Sequence, residues 1–216
     1  MLVPPSGYMA ALRACCDAKR VLLVADALQT GLGRKGATLA MAHEGVRADM
    51  SCLGKALGGG LLPVSAVVGH EAVMNVRGPG DHGSTFGGNA LAARVGREAL
   101  AVLADEALAA RATRLGAVVQ AHLRRARHSL VREWRGRGLM IGVALHEAVE
   151  AHEVVERLAR AGALTKDTHG NTVRLSPPPV LDEPALIEAL DTLLNVLDDC
   201  ASAHGRRVTE VVGAVQ

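Results

Sequence analysis

Apolar and polar positions along this chain change period several times, and each change marks an element. Between residues 8 and 18, Met9, Leu12 and Cys16 recur on one side of a helical wheel, which predicts a short amphipathic helix. Val21-Leu22-Leu23-Val24-Ala25 is a continuous apolar run that ends at Asp26. Such a run predicts a strand buried on both faces, as in parallel sheets covered by helices. Ligands gather at the carboxyl ends of strands in these sheets, where Asp26 would lie. Ala37 to His43 reads as a helix, Asp49 to Leu53 as a short strand, Val64 to Val68 as another strand and His70 to Val76 as a helix. Gly78, Pro79, Gly80, Gly83, Gly87 and Gly88 then crowd a segment without periodicity, which predicts a loop.

Helical spacing returns at Asn89, a capping residue followed by Leu91, Val95, Ala99 and Val102. A second helix is expected from about Glu106 to Arg127. Leu139 to Leu145 reads as a strand, Ala151 to Arg160 as a helix, and Thr172 to Leu175 as a short strand stopped by Pro177-Pro178-Pro179. Asp182 is placed to cap the last helix, with Pro184 in its first turn. Leu186, Ile187, Leu190, Leu193, Leu194 and Leu197 form its apolar stripe, and the tail after Gly205 reads as frayed.

Composition narrows the function classes. The formal charge of +2 is too small to argue for nucleic acid or an anionic membrane as partner. Arg124, Arg125 and Arg127 read as a solvated helix face. No apolar run approaches the roughly 18 residues that cross a bilayer, and the first residues lack a signal pattern. The four cysteines form no C-x-x-C pair, and adjacent Cys15 and Cys16 suit a disulfide poorly. Free thiols in a reducing, cytoplasmic compartment are expected. The nine histidines show no metal-ligand spacing, so no metal is expected. Tyr8, Phe86 and Trp134 are the whole aromatic set, so few side chains can stack on a flat ligand.

The candidate chemistry centres on Lys55, in Leu53-Gly54-Lys55-Ala56-Leu57-Gly58-Gly59-Gly60. Lysine amines form imines with aldehyde cofactors, and an aspartate can partner a pyridinium nitrogen. The phosphate-loop spacing is not met, because Ala56 follows the lysine. Taken singly, each residue also has a plain reading. Lys55 could be a solvated loop lysine, Asp26 a helix cap, Gln29 and Thr85 stabilisers of their own turns, and Arg174 the partner of a surface carboxylate.

Four segments occur in order: Asp26-Ala27-Leu28-Gln29-Thr30-Gly31-Leu32-Gly33-Arg34, the Lys55 turn, Pro63-Val64-Ser65-Ala66, and Gly83-Ser84-Thr85-Phe86-Gly87-Gly88-Asn89. Together they resemble the class III pyridoxal-phosphate aminotransferases of fold type I, from about Val3 to Leu197. Pro63-Val64-Ser65-Ala66, His82-Gly83-Ser84-Thr85 and Thr168-His169-Gly170 are most similar to the ornithine branch of that family. Acetylornithine and 4-aminobutyrate branches are the alternatives.

The resemblance implies an α/β architecture. Residues 1–105 would be the carboxyl-terminal part of the coenzyme-binding large domain, a mostly parallel sheet with helices and a connecting helix. Residues 106–216 would be a smaller α+β domain. It implies pyridoxal 5'-phosphate as cofactor, with Lys55 forming the imine and later shuttling a proton. Asp26 would bind the pyridinium nitrogen and Gln29 would lie beside the phenolic oxygen. Ser84 and Thr85 would reach the coenzyme phosphate of a neighbouring subunit, which implies a dimer. Arg174 would grip a substrate carboxylate. The implied substrates are an amino acid and a 2-oxo acid.

Two departures stand out. Ala27 replaces the glutamate that most relatives carry beside the aspartate. Met1–Tyr8 resembles an internal segment of the family, so the phosphate-binding turn, the ring-stacking aromatic and a carboxylate-binding arginine have no counterpart here. The expectation is an open sheet edge with exposed apolar faces. It also includes a separate polypeptide supplying the amino-terminal half, and little turnover by this chain alone. An inactive remnant serving as a dimerising or binding module, and a truncated or misassigned reading frame, are the competing expectations.

Overall fold

The computed structural model describes residues 1–213, with side chains described through residue 203. It divides into two compact units, one formed by Pro4–Ala112 and the other by Thr113–Gln216 together with Met1–Val3.

The first unit opens with α1 (Tyr8–Lys19), which stops where Arg20 turns left-handed and the Val21 N–H caps the Cys16 carbonyl. Its apolar side packs Cys16 against Leu23 and Val46, with Met9, Leu12 and Met41 around them. Three short strands follow: β1 (Val24–Asp26), β2 (Met50–Leu53) and β3 (Ala66–Gly69), hydrogen-bonded in that order. β1 and β2 are parallel, pairing Asp26 with Cys52. β2 and β3 are antiparallel, pairing Leu53 with Ala66. The short helix α2 (Glu71–Met74) and the long helix α3 (Ala90–Asp105) complete the unit. Asn89 caps α3 as its sequence position predicts, accepting the Ala92 N–H at 2.9 Å.

One carboxylate ties these pieces together. Asp49 Oδ2, at the entrance to β2, accepts the Leu23 N–H at 2.6 Å and an Arg13 guanidinium N–H at 2.8 Å. Arg13 also reaches Asp17 one turn along α1, at 2.7 Å. A single acidic side chain thus joins α1, the approach to β1 and the start of β2. The Leu23 bond, then the Arg13 guanidinium, hold the Asp49 carboxyl below the usual carboxylate range.

The expectation of a strand buried on both faces does not hold. Within the apolar run only Leu23 is buried; Val21, Leu22 and Val24 are 53%, 56% and 49% exposed. β1 and β3 are both edge strands, so side chains that would meet a cover or a further strand meet solvent instead. The helix expected from Ala37 to His43 is replaced by a loop and a 3-10 turn at Ala40–Glu44. The Leu32 N–H takes the Thr38 carbonyl at 2.7 Å and a His43 ring nitrogen meets the Lys35 carbonyl at 2.8 Å, which commits those residues to the loop. β3 begins two residues later than its apolar run, where pairing with Leu53 begins.

Helix α4 (Leu108–Ala126) leads into the second unit. There β4 (Val131–Arg137), β5 (Met140–Leu145), β6 (Lys166–Thr168) and β7 (Thr172–Leu175) form an antiparallel sheet in the order β4-β5-β7-β6. Helices α5 (Ala151–Arg160) and α6 (Glu183–Gly213) lie between and after these strands. The buried residues of this unit include Ile141, Val143 and Leu145 of β5, Val154 and Leu158 of α5, and Leu193 and Leu197 of α6, all nearly inaccessible. Asp182 caps α6 through the Ala185 N–H at 2.9 Å, as expected. The tail expected after Gly205 falls on side chains outside the described residues.

Asn171 fastens the β6–β7 hairpin to the start of α5. Its amide N–H groups bond the His146 and Val149 carbonyls at 2.9 and 2.6 Å, and its oxygen accepts the Ala151 N–H at 2.5 Å. Among the described residues no helix is long and apolar enough to cross a membrane.

Asp49→Asn is expected to lower the melting temperature of the chain at neutral pH. Because the folded carboxyl is held below its unfolded value of about 3.9, its contribution is full above that value and is lost as pH falls through the folded one. Thermal unfolding by circular dichroism should show a gap between wild type and variant at neutral pH that closes in strong acid. An undiminished gap in acid would mean that charge is not the source.

Candidate active site

The backbone places Lys55 before any side-chain contact is considered. β1 and β2 run parallel with Asp26 opposite Cys52, so both strands end on the same side of the sheet. Asp26 is the last residue of β1, and Lys55 follows two residues after β2 ends at Leu53. The intervening Gly54 permits a close approach: a Cβ there would lie 2.5 Å from Leu28 Cδ2 and 3.5 Å from Ser65 Cβ. The absence of a side chain lets the segment after β1 and the segment before β3 close around the lysine turn.

Lys55 itself starts a 3-10 turn, Lys55–Gly58, with φ of 48°. That left-handed conformation is uncommon for a residue with a side chain and clusters at functional sites. The turn is held from behind by α3. Leu57 is buried, and Gly96 of α3 sits under it, its Cβ position 3.6 Å from the Leu57 carbonyl oxygen. The Lys55 amine is exposed and, among the described residues, has no ion-pair partner.

A groove of about 710 Å³ opens beside this turn, lined by Lys55, Leu57, Val64, Ser84, Phe86 and Arg97 among others. It draws together two of the expected residues, Lys55 and Ser84. Ser84 Oγ accepts the Gly87 N–H at 3.1 Å, which leaves its own proton available. Phe86, 83% exposed, lines the groove but packs little else. Thr85 lies in the same exposed loop without lining the groove.

Asp26 and Gln29 do not line the groove. Asp26, at the end of the apolar run, is exposed, and β1 is an edge strand. Its Oδ1 accepts the Leu28 N–H at 3.1 Å, which turns the chain away from the strand. Gln29 is exposed in the turn closed by the Gly31 N–H on the Ala27 carbonyl, at 2.9 Å. Ala27, in place of the expected acid, is buried there.

Arg174 belongs to the second unit. It is half-buried in the middle of β7, paired in register with Gly142 and Lys166, and its carbonyl takes the Thr165 hydroxyl. Arg97 is the site residue that sequence reasoning passed over. The available signal was its lack of an acid one helical turn away, whereas neighbouring Arg94 has Glu98.

An exposed primary amine in a groove, without an ion-pair partner among the described residues, can add to a carbonyl ligand; the Asp26 carboxylate ends the adjacent parallel strand at the same end of the sheet but outside that groove. Among the described residues no cluster of His, Cys, Asp and Glu is placed to hold a metal. The four cysteines are unbridged.

Comparison with known proteins identifies the family. The family model described as aminotransferase class-III matches residues 1–197. The chain is 50% identical over 181 residues to ornithine aminotransferase 1 of Staphylococcus aureus (strain MRSA252), covering 84% of this chain and 45% of that protein. It is 48% identical over 198 residues to ornithine aminotransferase of Bordetella pertussis, covering 91% and 48%. The crystal structure of ornithine aminotransferase from Toxoplasma gondii ME49 superposes with a TM-score of 0.89 at 42% identity, over 93% of this chain and 49% of that one. Another Toxoplasma gondii ornithine aminotransferase structure has PLP at partial occupancy in its active site. The chain thus spans about half the length of the curated relatives it matches. With the Lys55 turn at the end of a parallel strand pair and a family match over most of its length, this chain belongs to the class-III aminotransferases.

Proposed function

We propose that this chain is the carboxyl-terminal portion of an ornithine aminotransferase-like, pyridoxal-phosphate-dependent transaminase. The reaction moves an amino group from ornithine to a 2-oxo acid, giving glutamate semialdehyde and an amino acid. The observation that carries the reading is Lys55: exposed, without an ion-pair partner among the described residues, in a groove, and at the same sheet end as Asp26.

Bound coenzyme would supply an electron sink for negative charge developing at the substrate's amine-bearing carbon. The chain's own residues do the rest. Lys55 presents the amine that holds the coenzyme's aldehyde carbon, then takes a proton from the substrate carbon and returns one as general base and acid. Asp26 would accept the ring N–H of the bound coenzyme, and Gln29 would lie beside its phenolic oxygen. Ser84 and Thr85 would donate to the phosphate held by a neighbouring subunit, which makes the proposed working form an oligomer. Arg174 would take a substrate carboxylate with its planar fork.

The same reading calls for an amino-terminal half of the fold beside the residues described here. Support comes from the half-length match to the relatives and from the uncovered apolar side chains of the first unit. Val21, Leu22, Val24, Val67 and Val68 are all 43% exposed or more, and both sheet edges are unpaired. A reducing, cytoplasmic setting is consistent with four unbridged cysteines.

Two outcomes are expected. Purified chain mixed with pyridoxal 5'-phosphate and treated with borohydride should carry a pyridoxyl adduct on Lys55 by peptide mass spectrometry, and Lys55→Ala should carry none at that peptide. Equal total pyridoxyl incorporation by intact mass in wild type and Lys55→Ala would favour a non-catalytic binding module. With ornithine and 2-oxoglutarate the chain alone should show little turnover. Co-expression with the amino-terminal half of a related enzyme should restore activity, and Lys55→Ala should lower that activity by about 10²–10⁴-fold or more. Full turnover by the lone chain would remove the need for a second half.

A further inference from the structure

The groove that holds Lys55 contains a second cation for which the reaction above has no use. Arg97 lies on α3, directly after the Gly96 that packs under the lysine turn, and it lines the same groove. Arg94 on the same helix pairs with Glu98 at 3.4 Å. Four residues either side of Arg97 stand Ala93 and Ala101, so the helix offers it no acid at that spacing. Among the described residues it has no ion-pair partner.

The charge of the groove is one-sided. Lys55 and Arg97 are its charged lining residues, and no lining side chain is a carboxylate. Its remaining wall is largely apolar, from Leu57, Val64, Phe86 and Leu100. Two like charges around a concave site with low-dielectric walls concentrate anions there. An aldehyde or keto compound held only by Lys55 would leave Arg97 uncompensated, whereas one bearing an oxyanion would satisfy both.

We propose that Arg97 is an oxyanion anchor for carbonyl compounds captured at Lys55, binding their phosphate or carboxylate group. This rests on Lys55 acting as the carbonyl-binding amine. In the capture step the Lys55 nitrogen adds to the carbonyl carbon, a C–N bond forms and water leaves. Arg97 takes no part in the bond changes; its guanidinium fork fixes the far end of the ligand through paired N–H donors.

The test uses the 216-residue chain with four aldehydes: pyridoxal 5'-phosphate, pyridoxal, glyoxylate and acetaldehyde. Each is titrated, trapped with borohydride and quantified on the Lys55 peptide. Wild type should favour pyridoxal 5'-phosphate over pyridoxal. Arg97→Gln should lose about tenfold or more in apparent affinity for the phosphate form, with pyridoxal unchanged, and Arg97→Lys should keep part of the preference. A parallel loss of the glyoxylate preference over acetaldehyde would show that the anchor serves carboxylates as well; its retention would confine the anchor to phosphate. An undiminished preference for both anionic aldehydes in Arg97→Gln overturns the proposal.

Failure of the Lys55 reading shows differently, as no adduct on that peptide with any aldehyde. Arg97 is then judged alone by phenylglyoxal labelling. Inorganic phosphate should slow labelling of Arg97 in wild type and in Lys55→Ala alike, and no slowing overturns the anchor.

Discussion

The parallel register of β1 on β2 decides which end of the sheet Asp26 and the Lys55 turn share. With Asp26 opposite Cys52, the carboxylate and the turn carrying Lys55 leave the sheet at one end. A shift of one residue would send alternate side chains to the other face. The register is set from the opposite end of the strands, where Asp49 receives both the Leu23 backbone and the Arg13 side chain. The contact is short in reach but joins residues separated by 26 and 36 positions in sequence. It closes the loop between the two strands, and the helix that precedes them is drawn into the same knot.

What the sequence disclosed divides along physical lines. α1, α3, α5 and α6 were legible because a stripe of apolar residues at helical period needs no knowledge of the partner it packs on, and Asn89 and Asp182 announce their helix starts chemically. β5 and β7 were legible as short apolar runs. β4 and β6 were not. Val131–Arg137 is mostly charged or polar, and Lys166–Thr168 has no apolar residue at all. Both are strands because neighbours offer them a ladder, information that lies elsewhere in the chain. The burial of β1 was misjudged for the same reason: an apolar run states what a strand could cover, not whether anything covers it.

The site was legible to an unequal degree. Lys55 was marked by the glycines around it, and the structure explains Gly54 through the approach of Leu28 and Ser65. Ser84 shares its groove. Asp26 ends β1 and Gln29 lies in the turn that follows, and both stand in solvent. Arg97 left only a faint trace in sequence, a missing helical partner, because its meaning depends on the turn that α3 packs against. Exposure of Val21, Leu22 and Val24 beside these residues gives the first unit a surface with the character of an interior.

Asn171 carries a consequence of another kind. Its amide both gives and receives, two N–H bonds outward and one N–H bond inward. An acid of the same shape has no ionised form that can do this, since a carboxylate only accepts. Hydrolytic ageing of that one amide would set an oxygen anion against the carbonyls of His146 and Val149. The junction of hairpin and α5 thus depends on one side chain staying an amide, and its conversion to an acid would loosen that junction without any change in the genetic message.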